Sequence, residues 1–244
     1  MEFVLETVDS VRAQTFEDWE LILVDDCSQD QTRVLLDRLA IEDPRIRVRY
    51  LEKNSGPAVS RNTGIELAQG RFIAFLDSDD VWHPEKLARQ VRFMEETGAT
   101  LSYHSYSMFD ETLSRRFSTF IVPESTNYAK SLYRNVISMC AAMYDTEKTG
   151  GKVYMPLIRK RQDYGLFLRI LKQGHTALGL KDDLLKVRIR EGSVSANKWV
   201  AAQYQWRIYR QIEHLGLIRS SFYFVVYATY GVRKYFFKWI RWSK

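Results

Sequence analysis

Residues 72–76, Phe-Ile-Ala-Phe-Leu, form a short apolar run of aromatic and branched side chains that ends abruptly in three carboxylates, Asp77, Asp79 and Asp80. Such a run reads as a buried strand, so the strand delivers charge to its own carboxyl end. Pro84 suits the first turn of a following helix, Leu87, Val91 and Met94 carry an apolar stripe onward, and Gly98 marks the stop. The acidic corner between strand and helix admits two readings. Carboxylates at alternate positions can aim at one point and suit a hard cation such as Mg2+ or Mn2+. Alternatively Asp79 or Asp80 caps the next helix and the remaining acids are solvated.

The preceding chain repeats the same rhythm. Val4, Val8 and Val11 sit at helical spacing, and 19–24 is an apolar run ending in Asp25 and Asp26. A helix carrying Val34, Leu35 and Leu39 follows, then an alternating strand at 45–51, a loop at Asn54–Pro57, and a helix over 58–68. Strands alternating with helices predict an α/β fold with a mostly parallel sheet. Ligands in such sheets collect at the carboxyl ends of strands, where Asp25, Asp26, Asp77 and Asp79 lie. Further on, 100–108 and 137–144 read as strands, 123–135 holds a short helix, and Gly150-Gly151 makes a turn. Asp163 opens a buried helix over 164–171. It reads either as a helix N-cap or as a carboxylate kept ionised by the helix dipole and the preceding Arg159, Lys160 and Arg161, ready to accept a proton. The segment Val187–Ser195 reads as a strand running into a polar turn, whose guanidinium and hydroxyl groups bind phosphate or sugar, or else are solvated.

The net charge of +6 suggests nucleic acid until its position is considered. After Glu213 no acid occurs, and Arg219, Arg233, Lys234, Lys238, Arg241 and Lys244 equal the whole excess. The body is neutral and the tail basic. Phe222–Val232 is apolar and aromatic but short of the about 20 residues a spanning helix needs. Tyr235, Phe236, Phe237, Trp239 and Trp242 then interleave with the cations, which predicts an interfacial helix on anionic lipid, or a terminal helix packed on the domain. Two cysteines in no zinc or disulfide spacing, and no secretory signal, fit a reducing cytosol.

Taken together the motifs resemble the family 2 glycosyltransferases with the nucleotide-diphospho-sugar transferase (GT-A) fold. The landmarks are Ser10–Phe16, Glu20–Ser28, Gly56–Ile65, Phe75–Trp82, Gln162-Asp163 before a helix, and Arg188–Ser195, in order over most of the chain. The resemblance implies a catalytic domain over 1–198 with a helical, basic, aromatic tail over 199–244. It implies that Asp26 contacts the nucleotide base with Asp25 beside it, that Arg61 belongs to the donor site, that Asp77 faces the ribose and a metal-bound water, and that Ser78 lies in the nucleotide-sugar site. It further implies that Asp79 ligates a divalent cation on the diphosphate and that Asp163 is the general base of an inverting transfer. Gln162 stands where many relatives have Glu. The implied donor is a UDP-sugar and the implied acceptor a lipid-linked or surface-polysaccharide glycan, with the protein cytoplasmic and peripheral on the inner face of the membrane. No nucleic-acid partner is expected.

One departure carries its own expectation. Relatives open with an apolar strand of the type Val-Ser-Val-Ile-Ile-Pro-x-Tyr-Asn, whereas this chain begins in the helix that follows it. A gap is expected between the strands at 20–25 and 72–76, with weak donor binding. An inactive donor-binding remnant is therefore the alternative to an active transferase, and a missed upstream start is the alternative to a true remnant.

Overall fold

The computed structural model describes residues 2–190 and 198–242. Helix α1 (Glu2–Arg12) buries Val8 and Val11, as their spacing predicts, and leads to β1 (Leu21–Asp25), α2 (Thr32–Glu42) and β2 (Ile46–Tyr50). Strands β1 and β2 pair in parallel as a sheet of their own, over a small core of Val8, Leu36, Leu39 and Ile46. Helix α3 (Pro57–Leu67) then returns the chain to β3 (Phe72–Ala74), a short β4 (Val81–Trp82) and α4 (Lys86–Thr97).

The larger sheet adds β5 (Leu101–Phe109), β6 (Arg116–Phe120), β7 (Ser125–Thr126), β8 (Ala142–Asp145) and β9 (Ala177–Arg188), in the order β3-β8-β5-β9-β4 with β6 and β7 at its margins. Its central pair, β5 and β9, is parallel, while the β3–β8, β8–β5, β9–β4, β5–β6 and β7–β9 ladders are antiparallel. The α/β expectation holds, but the mostly parallel sheet does not. Returns between neighbouring strands in the second half, such as β5 to β6, are short enough for antiparallel pairing, and the sequence pattern of the first half does not extend to them. The expected break between the strands at 20–25 and 72–76 is present: β1 and β3 belong to different sheets.

Helix α5 (Tyr128–Tyr133) packs on helix α6 (Gln162–Lys172), its Leu132 meeting Tyr164 and Leu168, while α6 packs on the larger sheet and supplies Leu166, Phe167, Ile170 and Leu171 to the main core. Helix α7 (Lys198–Arg207) continues through a π-turn (Ile208–Ile212) and breaks before α8 (Leu217–Trp242). His214, in a left-handed conformation, and Gly216 mark the break between the two. Among the described residues no helix is long and apolar enough to cross a membrane.

Beneath the acidic corner, Lys86 is fully buried with its Nζ 3.7 Å from the Trp82 ring centre and no protein acceptor. Burial pushes its amine down to about 7. Between about pH 7 and the ordinary lysine value the unfolded chain holds a proton that the folded chain lacks, so this residue makes stability rise with pH across that window. Lys86→Met is expected to stabilise the protein by roughly 4–5 kcal/mol below pH 7, the gain shrinking as pH rises toward the ordinary lysine value in denaturation curves.

Candidate active site

The site is assembled at the carboxyl ends of β1 and β3 and the amino end of α6. Asp25, the last residue of β1, is buried, and its carboxylate accepts from the Ser28 amide at 3.2 Å and from Arg33 Nε at 2.8 Å. Burial opposes its ionisation, but the bonds from Ser28 and Arg33 outweigh it and hold the carboxyl below the usual range. Asp25 faces into the protein and braces the turn after β1. Asp26 points across instead: its two oxygens accept from the Ser55 and Gly56 amides, each at 2.7 Å. Gly56 has φ +85, which lets both amides converge on one carboxylate and puts Pro57 at the start of α3.

Helix α3 carries Arg61 from this turn to the acidic corner, where it forms an ion pair with Asp77 Oδ1. Burial disfavours the Arg61 charge, but Asp77 more than restores it, with Asp163 adding to the effect. Asn62, one residue on, accepts from the Met155 amide at 2.8 Å and donates to its carbonyl at 3.0 Å, so α3 is fixed to the segment leading into α6.

The acidic corner is not a helix cap. Strand β4 intervenes, Glu85 occupies the N-cap position of α4, and Gly98 ends the helix with φ +69. Ser78 is exposed at the tip of the turn. Asp79 is paired with Arg190 through its carboxylate and accepts from Arg188 Nε through its carbonyl at 2.7 Å. Asp80 is 5% exposed, and its Oδ1 accepts from the Arg188 amide at 3.0 Å. Burial, with the charges of Asp77 and Asp79 adding to it, pushes the Asp80 carboxyl up to about 7. Cys140 lies behind: its Sγ accepts from the Asp77 amide at 3.2 Å, and one oxygen each from Asp77 and Asp80 lies with this sulfur in a group less than 4.8 Å across. Burial and the two acids keep its thiol protonated.

A divalent cation suits this corner at its rim. Three clustered carboxylates, one driven toward protonation by burial and further by its neighbours, are relieved by positive charge, and oxygen donors match a hard ion. The protonated thiol of Cys140 does not match one, so Cys140 is a packing partner rather than a ligand.

Asp163 reaches the site from the far end of the sequence. It lies inside the first turn of α6, with Arg161 in the N-cap position, so the capping alternative for Asp163 is ruled out. It is partly buried, and burial raises its carboxyl, with Arg61 and Arg161 acting the other way and Asp77 adding to the rise. Asp77, Arg61 and Asp163 therefore share one electrostatic environment though they come from β3, α3 and α6.

Two residues matter more than their sequence context shows. Arg188, expected among phosphate-binding guanidiniums, is turned inward: its Nη1 donates to the Glu111 carbonyl, its Nη2 pairs with Glu6, and it lies over the Phe3 ring. Arg190, two residues past the end of β9, pairs with Asp79. No local signal separates the two, since alternation puts residues 188 and 190 on one side together. The Gly192–Ser195 turn lies outside the described residues.

The backbone has the GT-A fold. The chain superposes on Staphylococcus aureus TarS 1–349, solved with UDP-GlcNAc, with a TM-score of 0.70 over 93% of this chain and 68% of that one at 20% identity. It also superposes on the Pyrobaculum calidifontis mannosyltransferase PcManGT, solved with GDP-Man and Mn2+, with a TM-score of 0.67 over 95% of this chain and 70% of that one at 16% identity. The family description "Glycosyl transferase family 2" matches residues 2–146, and the chain belongs to that family. It is 42% identical to TuaG of Bacillus subtilis (strain 168), a glycosyltransferase named for teichuronic acid biosynthesis, over 96% of this chain and 92% of that one. It is 32% identical to WfgD of Escherichia coli over 95% and 89%, a protein named UDP-Glc:alpha-D-GlcNAc-diphosphoundecaprenol beta-1,3-glucosyltransferase. The chain is a glycosyltransferase acting on a nucleotide sugar.

Proposed function

We propose that the protein transfers a hexose from a UDP-sugar to a hydroxyl of a lipid-linked precursor of a surface polysaccharide, inverting the anomeric carbon. The observation that carries this reading is the convergence of Asp163, Arg61 and Asp77 from three distant segments on one corner. Asp26 holds the base: its oxygens already accept from two amides, and each retains a lone pair for a donor on the pyrimidine ring. Asp25 supports that turn, Arg61 and Asp77 with Ser78 border the ribose and diphosphate, and Asp79 at the rim is the cation ligand, Arg190 balancing its charge otherwise. A divalent cation there neutralises charge on the departing diphosphate as a Lewis acid. Asp163 takes the proton of the acceptor hydroxyl as it attacks from the opposite face, so one displacement with inversion needs no second carboxylate as nucleophile. The names of TuaG and WfgD agree with a polysaccharide precursor as acceptor.

The test is a donor panel of UDP-glucose, UDP-galactose, UDP-GlcNAc and GDP-mannose with Mn2+. A UDP-sugar is expected to raise the melting temperature and to release UDP in the presence of a GlcNAc-diphospho-lipid, both effects being lost with EDTA; a shift confined to GDP-mannose overturns the donor assignment. The separation of β1 from β3 favours a second reading, a donor-binding chain without turnover, which the same panel recognises as a thermal shift with no UDP release.

The reading includes an anionic membrane surface as partner, with the protein peripheral on the inner face. Ile218, Phe222 and Val225 recur at helical spacing on α8 and are all more than half exposed, and the basic, acid-free stretch follows along the same helix. Replacing all three with Glu is expected to weaken flotation with phosphatidylglycerol vesicles at least about tenfold, since each loses a buried apolar contact of about 1.5 kcal/mol or more. Unchanged flotation overturns the membrane partner.

A further inference from the structure

The first turn of α6 is tied to the C-terminal helices through a residue whose backbone is held against its own preference. Arg161, in the N-cap position, has φ +62 and ψ +22, the left-handed region that disfavours any side chain with a Cβ. Glycine suits this position better, so the side chain is retained for what it touches. Its Nε donates to the Ala201 carbonyl of α7 at 3.2 Å, its Nη2 donates to the Tyr227 hydroxyl of α8 at 2.6 Å, and its guanidinium carbon lies 5.1 Å from the Tyr227 ring centre. Its own carbonyl accepts from the Gly165 amide at 3.0 Å, closing the first turn of α6 around Asp163.

Tyr227 is presented by a well-seated stripe. Ser220, Tyr223, Phe224 and Tyr227 recur at i, i+3, i+4 and i+7, which is the inner face of α8. Tyr223 packs edge-on to Tyr133 and Phe224 edge-on to Trp206. Helix α8 thus has a fixed inner face that ends, at Tyr227, on the residue two positions before Asp163.

We propose that Tyr227, acting through Arg161, is a positioning residue for sugar transfer: α8 holds the opening turn of α6, and with it the Asp163 carboxylate, in line with the acceptor hydroxyl. The proposal rests on the reading of Asp163 as general base, and it gives the C-terminal helix a role in the reaction itself. Displacement of a base by about 1 Å lowers turnover by up to about 10²-fold, so a tether of this kind has a measurable effect without touching substrate.

The test uses the full chain and three variants. Tyr227→Phe keeps the ring and removes the hydroxyl; Arg161→Gly removes the side chain at a position whose φ suits glycine, so loss of fold is not its consequence. In both, hydrogen exchange of the amides over 161–166 is expected to speed up at least about tenfold, with the melting temperature unchanged within a few degrees. UDP release from UDP-glucose with Mn2+ is expected to fall about 5–50-fold in kcat with the donor KM unchanged. The groups facing Asp163 are Arg161 at its own cap, Arg61 on α3 and Asp77 after β3; loss of the Arg161 charge shifts the acid limb of the kcat profile to higher pH. Unaltered exchange at 161–166, or unaltered kcat and acid limb alongside faster exchange, overturns the proposal. Asp163→Asn separates the two levels: if that variant still transfers sugar, the general-base reading has failed, whereas an inactive Asp163→Asn beside a fully active Tyr227→Phe means the tether alone has failed.

Discussion

Asp163→Asn is expected to lower kcat for sugar transfer by about 10³-fold or more while leaving UDP affinity within a few-fold of wild type. The amide is isosteric and fills the same place in the first turn of α6, so folding and the donor pocket are retained. It has no basic oxygen for the acceptor proton. Because burial raises the Asp163 carboxyl, the wild-type rate declines on the acid side of neutrality earlier than for a solvated aspartate. The asparagine variant has no such limb. Isothermal titration with UDP and Mn2+, together with a single-turnover transfer assay, checks both halves of the expectation; substantial transfer by the purified variant excludes Asp163 as the base.

The second large effect is expected at Arg188, which touches none of the reacting groups. Its side chain is 2% exposed and its fork joins three segments: the Asp79 carbonyl at the acidic corner, the Glu111 carbonyl after β5, and the Glu6 carboxylate of α1. Arg188→Ala removes all three bonds and the contact with Phe3, at a cost of about 2–4 kcal/mol, since two carbonyls lose charged donors while the half-exposed Glu6 regains water. The backbone amide that binds Asp80 remains, so the corner is not abolished. It loses the brace that fixes the Asp79 backbone, and UDP affinity in the presence of Mn2+ is expected to fall at least about tenfold, one lost charged bond being worth that much. Arg188→Lys does not restore either property, because one ammonium on a flexible stem cannot serve three acceptors in a planar fork. Chemical denaturation and titration with UDP report the two effects separately.

The contrast between these two residues shows where local sequence carries function. The position of Asp163 in the first turn of α6 was legible because a lone acid after three cations opens a buried helix. Arg188 sat in a family pattern, but nothing local distinguishes a guanidinium facing a ligand from one folded under the corner. That choice depends on Glu6, Asp79 and Glu111, which are separated from it by 182, 109 and 77 residues.

By itself the sequence determined the alternation of strands and helices in the first half, the helix carrying Val8 and Val11, the acids at the ends of β1 and β3, and the place of α6. Each rests on short-range periodicity or on a turn residue, and short-range terms are written in neighbouring positions. The tertiary structure alone decided that β5 and β9 pair in parallel while their neighbours run antiparallel, since strand direction depends on the path of the connection between segments distant in sequence. It alone decided that Asp25 faces inward to Arg33, that Asp80 is buried beside Cys140, and that α8 reaches Arg161 through Tyr227. A charge or hydroxyl finds its partner only after the chain has been brought back on itself, and no local pattern encodes that meeting.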